Sequence, residues 1–193
     1  IRLLPGESVM ILDEEQAAGP EARYPAGHSF SLAGSWKLTF TEGQPRLPGP
    51  VVMQDLKSWT ALPDSGAYFS GTAVYRLQFD LPDGIPLQRE IVLDLGDVRE
   101  VAEVRLNGKD AGTAWSIPFQ LRLPAGALKR KQNVLEVAVT NLSANYMRLL
   151  DEKSPGWKKF YDINIVDITY HPFKAALWEP MPSGLLTGVK LLY

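Results

Sequence analysis

Apolar and polar residues alternate with a period of two along most of this chain. In SWKLTF, residues 35–40, the side chains of Trp36, Leu38 and Phe40 fall on one face. The same alternation recurs in six further stretches: 71–82, 89–98, 102–106, 116–124, 133–141 and 184–193. A period of two is typical of half-buried β-strands. The stretch SIPFQLRLP therefore predicts a strand whose buried face carries Ile117, Phe119, Leu121 and Leu123, and residues 184–193 predict one final strand.

Turn residues separate these stretches and predict how they connect. Asn107-Gly108 lies between two alternating segments, and this pair favours a type I′ hairpin because both central residues must adopt positive φ. Gly112, in the returning strand, indicates a bulge or a close backbone approach. Many short strands joined by regular turns predict an all-β fold, an antiparallel β-sandwich or jelly roll.

Two parts of the chain depart from this pattern. Residues 1–30 contain one strand-like piece, SVMIL, followed by an acidic, Gly- and Pro-rich segment that we interpret as a linker from a preceding domain. Residues 31–193 form the sandwich, and within it 141–183 are a long, aromatic-rich excursion. A loop of this length is usually functional or packs against a neighbour. Residues 145–153 predict a helical turn, and 163–170 predict a strand.

Composition excludes several classes of function. The 193 residues carry a net charge of -2, and the densest basic run, LKRKQN at 128–133, is best explained as a solvated turn, so nucleic acid is not the expected partner. No apolar run approaches the ~20 residues of a membrane span. Cysteine is absent, which excludes thiol catalysis and disulfides. Because the chain opens at Ile1, we expect a processed product or a piece of a longer protein.

Catalytic groups are poorly represented, whereas aromatic residues are prominent. His28 and His171 lie in no recognisable catalytic context, so we interpret both as packing or surface residues. Trp36 and Trp59 are expected in the core. For Trp115 and Trp178, which lie outside clean alternation, core packing and contact with a sugar ring are equally favoured.

The order of motifs resembles a known family of domains. The strand at 71–82, the hairpin at 98–112, the Pro118-Phe119 strand, the strand at 133–141 and a terminal Ser183-Gly184 strand resemble the sugar-binding sandwich of family 2 glycoside hydrolases. The chain is more similar still to the C-terminal region of family 106 α-L-rhamnosidases. That similarity also includes PGESV at 5–9, the Gly-x-Trp-x-x-x-Phe pattern at 34–40, LKSWT at 56–60 and YFSGTAVY at 68–75.

The resemblance implies a galactose-binding-like jelly roll that accompanies a catalytic barrel, with the catalytic carboxylates on the barrel. In family 2 an acidic residue shortly before the terminal Ser-Gly reaches the substrate pocket. Here Trp178 occupies that position, and Glu179 is the nearest acid. Asn145 and Arg148 are loose counterparts of an Asn-Arg pair in the rhamnosidases. Such jelly rolls often hold a structural Ca²⁺, for which the resemblance offers the turn residues Asp94, Asp97 and Asp110.

The leading hypothesis is an accessory, non-catalytic, sugar-binding or structural domain of a polysaccharide-degrading glycoside hydrolase, secreted or periplasmic, with carbohydrate and the parent enzyme's barrel as partners. The chain alone is not expected to be catalytic. The residues expected to contact carbohydrate are Trp115, Asn145, Arg148, Trp178 and Glu179. Two alternatives remain open: a free-standing carbohydrate-binding module, and a purely structural or interaction sandwich.

Overall fold

The computed structural model describes residues 27–62, 66–158 and 173–193. The strands in this part of the chain, in order, are β1 (Ser29–Ser31), β2 (Trp36–Gln44), β3 (Val51–Met53), β4 (Ser70–Phe79), β5 (Ile91–Asp94), β6 (Val98–Arg99), β7 (Val101–Leu106), β8 (Lys109–Ala114), β9 (Gln120–Leu123), β10 (Asn133–Thr140), β11 (Gly184–Leu185) and β12 (Lys190–Leu192). One α-helix, α1 (Ala144–Lys153), follows β10. Short 3₁₀ turns occupy Trp59–Ala61, Gly66–Tyr68, Pro155–Trp157 and Ala175–Leu177.

Two antiparallel sheets form the predicted β-sandwich. The larger has the strand order β3-β2-β4-β10-β7-β8, and the smaller has the order β1-β12-β5-β9. The short strands β6 and β11 pair with each other beside them. The inward faces of both sheets supply one continuous apolar core, which includes Trp36 and Trp59, as predicted. Trp59 meets Phe40 and Phe69 edge to face, with ring centroids 5.6 and 5.8 Å away.

The hairpin predicted at Asn107-Gly108 is confirmed. Both residues have positive φ, 54° and 80°, and they join β7 to β8. Val104 pairs with Gly112 while Arg105 pairs with Asp110, so Ala111 is the extra residue of a bulge beside Gly112. The Asn107 side chain donates to the carbonyl of Ala127 and accepts from the amide of Val134. The turn therefore anchors the loop that precedes β10.

Two strand predictions are wrong in detail. Ile117 is 64% exposed, because β9 begins only at Gln120 and the preceding residues form a bend rather than continuing the alternation. The final strand is interrupted: Gly184–Leu185 pair with β6, whereas Lys190–Leu192 pair with β1 and β5 in the smaller sheet. The residues between them turn from one sheet to the other.

The boundary predicted after residue 30 remains a prediction. Ser29 and Phe30, which that boundary places in the linker, pair with Leu192 and Leu191 of β12. The strand predicted at residues 8–12 and the rest of the linker, up to residue 26, lie outside the described residues. So do the strand predicted at 163–170 and the aromatic side chains of 160–171.

The helical turn predicted in the excursion is the ten-residue helix α1. Its first half faces the sandwich, where Asn145 is buried, and the amide of Tyr146 donates to the Ser70 hydroxyl at the start of β4. Among the helices described, none is long and apolar enough to cross a membrane.

Candidate functional site

The connections at one end of the sandwich lie against one another, and together we call them the loop end. They are residues 95–100, 115–119, 141–183 as far as described, and 186–189. Two backbone hydrogen bonds join them, Leu95 N–H to the Phe119 carbonyl and Leu186 N–H to the Asp97 carbonyl. A third, from Glu100 N–H, reaches the carbonyl of Thr140, the last residue of β10 before the excursion. All five candidate residues lie at this end.

Large apolar side chains are exposed at the loop end. Trp115, directly after β8, is 73% exposed, and Ile117 follows it on the same loop. In the excursion Leu177 is 77% exposed, with Leu142, Trp178 and Met181 between 39% and 48%. Burying such side chains against a partner stabilises a complex, and exposed apolar patches mark ligand or protein contact sites.

Trp178 belongs to an aromatic cluster that an internal ion pair holds in place. Trp178 meets Phe173 edge to face at 5.2 Å between ring centroids, and Phe173 meets Trp157 at 6.2 Å. The Lys158 ammonium lies over both the Trp157 and Phe173 rings and donates to the Phe173 carbonyl at 2.6 Å. Trp178 is thus held by Phe173 while 39% of its surface is exposed to solvent.

Asp151 is the anionic partner of this cluster. Its carboxylate, with a side chain only 7% exposed, lies 2.6 Å from Lys158 Nζ. It also accepts from the Trp157 indole and from the backbone amide of Ala176. Burial by itself would raise the pKa of Asp151, but the hydrogen bonds from Lys158, Ala176 and Trp157 outweigh it and lower that pKa. The carboxylate therefore stays ionised and joins the end of α1 to the segment that carries Trp178.

The side chain of Asn145 forms its hydrogen bonds inside the protein rather than at its surface. It is 1% exposed; its Oδ1 accepts from the Met181 amide, and its Nδ2 donates to the Met181 carbonyl and the Ser183 hydroxyl. Asn141 donates to the same hydroxyl, at 2.8 Å. These bonds fix the return of the excursion to β11, so Asn145 has little hydrogen-bonding capacity left for a ligand.

Arg148 and Glu179 occupy different settings. The Arg148 guanidinium lies 4.5 Å from the centroid of the Tyr68 ring, and Tyr68 in turn donates to Glu152. The Arg148 Nε is buried, and it has no hydrogen-bond partner among the residues that the structure describes. Glu179 is exposed and directly follows Trp178. The structure thus brings Asn145, Trp178 and Glu179 into one region, with Arg148 on the Tyr68 side of α1 and Trp115 on a separate loop.

The three aspartates offered for calcium do not converge. Asp94 and Asp97 line a common pocket, but Asp97 is paired with Arg99 at 2.7 Å. Asp110 accepts from Gly112 in the β8 turn, at the opposite end of β7 and β8. Among the described residues no group of three or more His, Cys, Asp or Glu side chains could hold a metal ion, so the calcium site remains a prediction without a ligand set.

Sequence reasoning missed the residues that organise this end. Asp151 and Lys158 are separated by seven positions across a helix end, and no pattern in the sequence pairs them. Leu177, the most exposed of the large apolar side chains described, was also missed. The available signal was the density of aromatic residues in the excursion, which indicated a functional segment without indicating its internal contacts.

The fold and much of the sequence match known carbohydrate-active enzymes. A solved structure of a rhamnosidase from Novosphingobium sp. PP1Y aligns with 91% of this chain at 29% identity and a TM-score of 0.64, and the match covers 16% of that enzyme. A family 2 β-galacturonidase from Eisenbergiella tayi aligns with 86% of this chain at 18% identity, a TM-score of 0.52 and 24% of its own length. The second match shows the fold alone.

One curated relative is also similar to this chain in sequence. A protein of Formosa agariphila, provisionally named beta-glucuronidase, is 42% identical over 127 residues, which are 64% of this chain and 11% of that protein. The chain thus spans about a tenth of that relative and about a sixth of the rhamnosidase. No family model matches it. These similarities confirm the predicted resemblance: the chain matches a β-sandwich segment of a rhamnosidase, and it shares its fold with a segment of a family 2 enzyme.

Proposed function

We propose that this chain is an accessory, non-catalytic domain of a polysaccharide-degrading, α-L-rhamnosidase-like glycoside hydrolase, and that its loop end contacts carbohydrate beside the catalytic barrel of the parent enzyme. The observation that carries the proposal is the match to the rhamnosidase, which extends over nearly the whole chain but only a small part of that enzyme. A domain with this relation to a large enzyme acts together with the remaining domains. A secreted or periplasmic location belongs to the same proposal.

Trp115 and Trp178 are the side chains best suited to contact a sugar. Both are exposed, and an indole ring can stack on the apolar C–H face of a pyranose while polar neighbours bind the hydroxyls. Trp178 is additionally held by Phe173, which reduces the entropy lost when a ligand orders it. Glu179, next to it, supplies acceptor oxygens for hydroxyl groups.

The contacts of Asn145 and Arg148 favour a structural role for these two residues over contact with carbohydrate. The bonds of Asn145 to Met181 and Ser183 hold the excursion on the sandwich, and the stacking of Arg148 on Tyr68 does the same for α1. We therefore assign these two residues to positioning the loop end, and carbohydrate contact to Trp115, Trp178 and Glu179.

Titration calorimetry of the 193-residue chain with rhamnose- and galactose-containing oligosaccharides tests the carbohydrate contact. We expect a measurable heat of binding for the parent chain. The affinity should be at least about fivefold lower in Trp115→Ala or Trp178→Ala, the loss typical of one stacking contact. Val52→Ala is the matched control, because Val52 is 68% exposed on the edge strand β3. Binding that survives both tryptophan substitutions would contradict the assignment of the loop end.

The native reading frame tests the accessory role separately. We expect it to encode a barrel-sized catalytic segment fused to this domain, and deletion of the domain should lower the activity or stability of the enzyme. A reading frame that encodes this domain alone, combined with strong glycan binding, would favour the free-standing carbohydrate-binding module. Normal activity of a domain-deleted enzyme and absent glycan binding would contradict both.

A further inference from the structure

The excursion returns to the sandwich through an exposed segment, residues 176–182 with the sequence ALWEPMP, which we call the strap. All seven of its residues are exposed, and Glu179 is the only charged one among them. The residues on either side of the strap, Ala175 and Ser183, are 0% and 1% exposed. A run of apolar residues left in water between two buried positions is typical of an interaction surface.

Hydrogen bonds fix the strap to α1 at both of its ends. The amide of Ala176 donates to the Asp151 carboxylate at 3.0 Å. The amide of Met181 donates to Asn145 Oδ1 at 2.8 Å, and its carbonyl accepts from Asn145 Nδ2 at 2.9 Å. Because Asn145 lies near the start of α1 and Asp151 near its end, the strap runs antiparallel to the helix. A segment that is already held at both ends loses little conformational entropy when a partner covers it.

The backbone of the strap is extended in the polyproline II conformation. Trp178 has φ −72° and ψ 143°, which are polyproline II values. Pro180 and Pro182 fix their own φ near −65°, and each also restricts the residue before it to the β and polyproline II region. Segments of this kind dock into apolar grooves lined by aromatic side chains, because their binding conformation exists before the partner arrives.

Most of the strap suits a protein surface better than a sugar. The amides of Leu177 and Trp178 donate to the carbonyls of Lys174 and Ala175, and the two prolines have no amide hydrogen. Trp178 and Glu179 supply the only polar side-chain atoms that can hydrogen bond well. A pyranose needs such partners around its hydroxyls, whereas the centre of a protein interface is apolar and poor in charge. The side chains suited to a protein surface are therefore Leu177, Pro180, Met181 and Pro182.

The size of the strap indicates which kind of protein covers it. A separate partner that binds stably buries about 800 Å² on each side, from about 20–30 residues, which is more than this segment supplies. A neighbouring domain of the same polypeptide is held at a high effective concentration, so a small apolar contact is enough to dock it. The rhamnosidase match covers 91% of this chain but 16% of that enzyme, so an enzyme of that size has further domains beside this one.

We propose that the strap docks this domain onto another domain of the parent enzyme, in a shallow apolar groove lined by aromatic side chains, with Leu177, Pro180 and Met181 in the contact. This inference rests on the proposed accessory role and adds the surface by which the domain is attached. Trp178 and Glu179 lie among these residues in the sequence, so the proposed carbohydrate contact falls at the border of this interface.

Photo-crosslinking in the full-length parent enzyme, without glycan, tests the docking. Leu177 is replaced by p-benzoylphenylalanine, and mass spectrometry identifies the peptide that the photoactivated side chain captures. We expect a peptide from another domain of the same molecule that contains at least one Trp, Tyr or Phe. Val52 replaced in the same way is the matched control, because it is 68% exposed but lies on the edge strand β3. Its yield of inter-domain capture should be at least about tenfold lower, since no docked partner is held beside it.

A pair of substitutions at Leu177 provides the second comparison, with the crosslinker placed at Met181 instead. Leu177→Asp should lower the yield of inter-domain capture about tenfold, because docking would bury a charge in an apolar groove. Leu177→Met should keep the yield, because it conserves volume and apolar character. Leu177 is 77% exposed, so neither substitution should change the thermal unfolding of the 193-residue chain, which verifies that both variants fold.

The outcomes separate the docking from the proposed function. Capture confined to this domain, capture of a second molecule, or equal yields from Leu177 and Val52 would each overturn the docking and leave the carbohydrate contact in place. An oligosaccharide affinity that falls as much in Leu177→Ala as in Trp178→Ala would also overturn it, because Leu177 would then contact the glycan.

The converse results act on the proposed function. Inter-domain capture from Leu177 in an enzyme whose 193-residue domain binds no oligosaccharide would support the docking and contradict the carbohydrate contact. A native reading frame that encodes this domain alone would overturn both the docking and the accessory role.

Discussion

The two ends of the sandwich differ in the exposure of their apolar side chains. At the hairpin end, comprising residues 80–90, 107–108 and 124–132, the loops are tied to one another by bonds that turn inward. Leu81 donates to Arg130, Gly126 donates to Leu87, and Asn107 donates to Ala127. Ile85 and Leu128 are buried there, 2% and 6% exposed. At the loop end, Trp115, Ile117 and Leu177 are each more than 60% exposed.

This difference supports the proposed contact at the loop end. The hairpin end encloses its apolar side chains, so its residues stabilise the fold. The loop end combines a firmly bonded base, formed by Asn141, Asn145 and Ser183, with an apolar surface that nothing in the described residues covers. A rigid support under an exposed surface is the arrangement expected of a binding region.

The largest effect should come from Gly184, the first residue of β11, which directly follows the excursion of the loop end. Gly184 and Gly84 have nearly the same φ, 100° and 97°, but a Cβ at Gly184 would overlap the Tyr75 hydroxyl and approach Trp59, whereas one at Gly84 meets nothing within 4 Å. Gly84→Ala should cost about 1–2 kcal/mol for the backbone alone. We expect Gly184→Ala to cost about 3 kcal/mol more. Denaturant unfolding measures both, and equal losses would contradict close packing beneath the loop end.

Asn145→Ala should be the next most damaging change. It removes the acceptor of the Met181 amide and one donor each to the Met181 carbonyl and the Ser183 hydroxyl, which keep Ser183 and Asn141 as their other partners. Three lost hydrogen bonds, one of which leaves an amide without its acceptor, cost about 2–3 kcal/mol in all. Leu142→Ala, on the exposed part of the same excursion, is the control and should be nearly neutral. If Asn145→Ala instead lowered glycan affinity with unchanged stability, Asn145 would be a ligand-binding residue after all.

The same contrast separates what could be predicted from what could not. The hairpin at Asn107 and the core positions of Trp36 and Trp59 follow from local turn chemistry and alternation, which depend on near neighbours in the sequence. Ile117 fits the alternation but is exposed, because the chain bends before β9 begins. The role of Asn145 depends on partners 36 and 38 residues away. Asp151 depends on Lys158, beyond the end of α1, and on Ala176, 25 residues away, and no periodicity encodes such pairings. The candidate residues all lie at the loop end, but the contacts of each one needed the fold, and their role in binding carbohydrate stays a prediction.

Asp151→Asn should have a smaller effect that depends on pH. Because the folded-state pKa of Asp151 is lowered, its ionisation stabilises the protein fully above about pH 4, the ordinary carboxyl range, and this stabilisation is lost as pH falls through the lower folded pKa. The variant should therefore be less stable than the parent at pH 7, and the difference should shrink below about pH 4. Urea unfolding at several pH values measures it.

Glu136→Gln is the control for Asp151, because Glu136 pairs with Arg76 at 2.7 Å on an exposed part of the large sheet, where the Arg76 side chain is 56% exposed. Exposed pairs contribute about 0–1 kcal/mol, so Glu136→Gln should change stability little at any pH. A gap between parent and Asp151→Asn that stays constant down to pH 2 would show that the ion pair with Lys158 does not hold the cluster.

The smallest stability effect is expected at the residue most exposed to a partner. Trp115→Ala should leave the free energy of unfolding within about 0.5 kcal/mol, because the ring is 73% exposed and little area leaves water on folding. Trp178→Ala should cost more, since its ring packs against Phe173. Thermal unfolding compares the two variants. A large loss in Trp115→Ala would mean that this indole supports the fold, and the loop end would then resemble the hairpin end. If Trp115→Ala leaves the free energy of unfolding unchanged but weakens glycan binding, then Trp115 contributes to recognition and not to folding. The contrast between the two ends implies this division of roles.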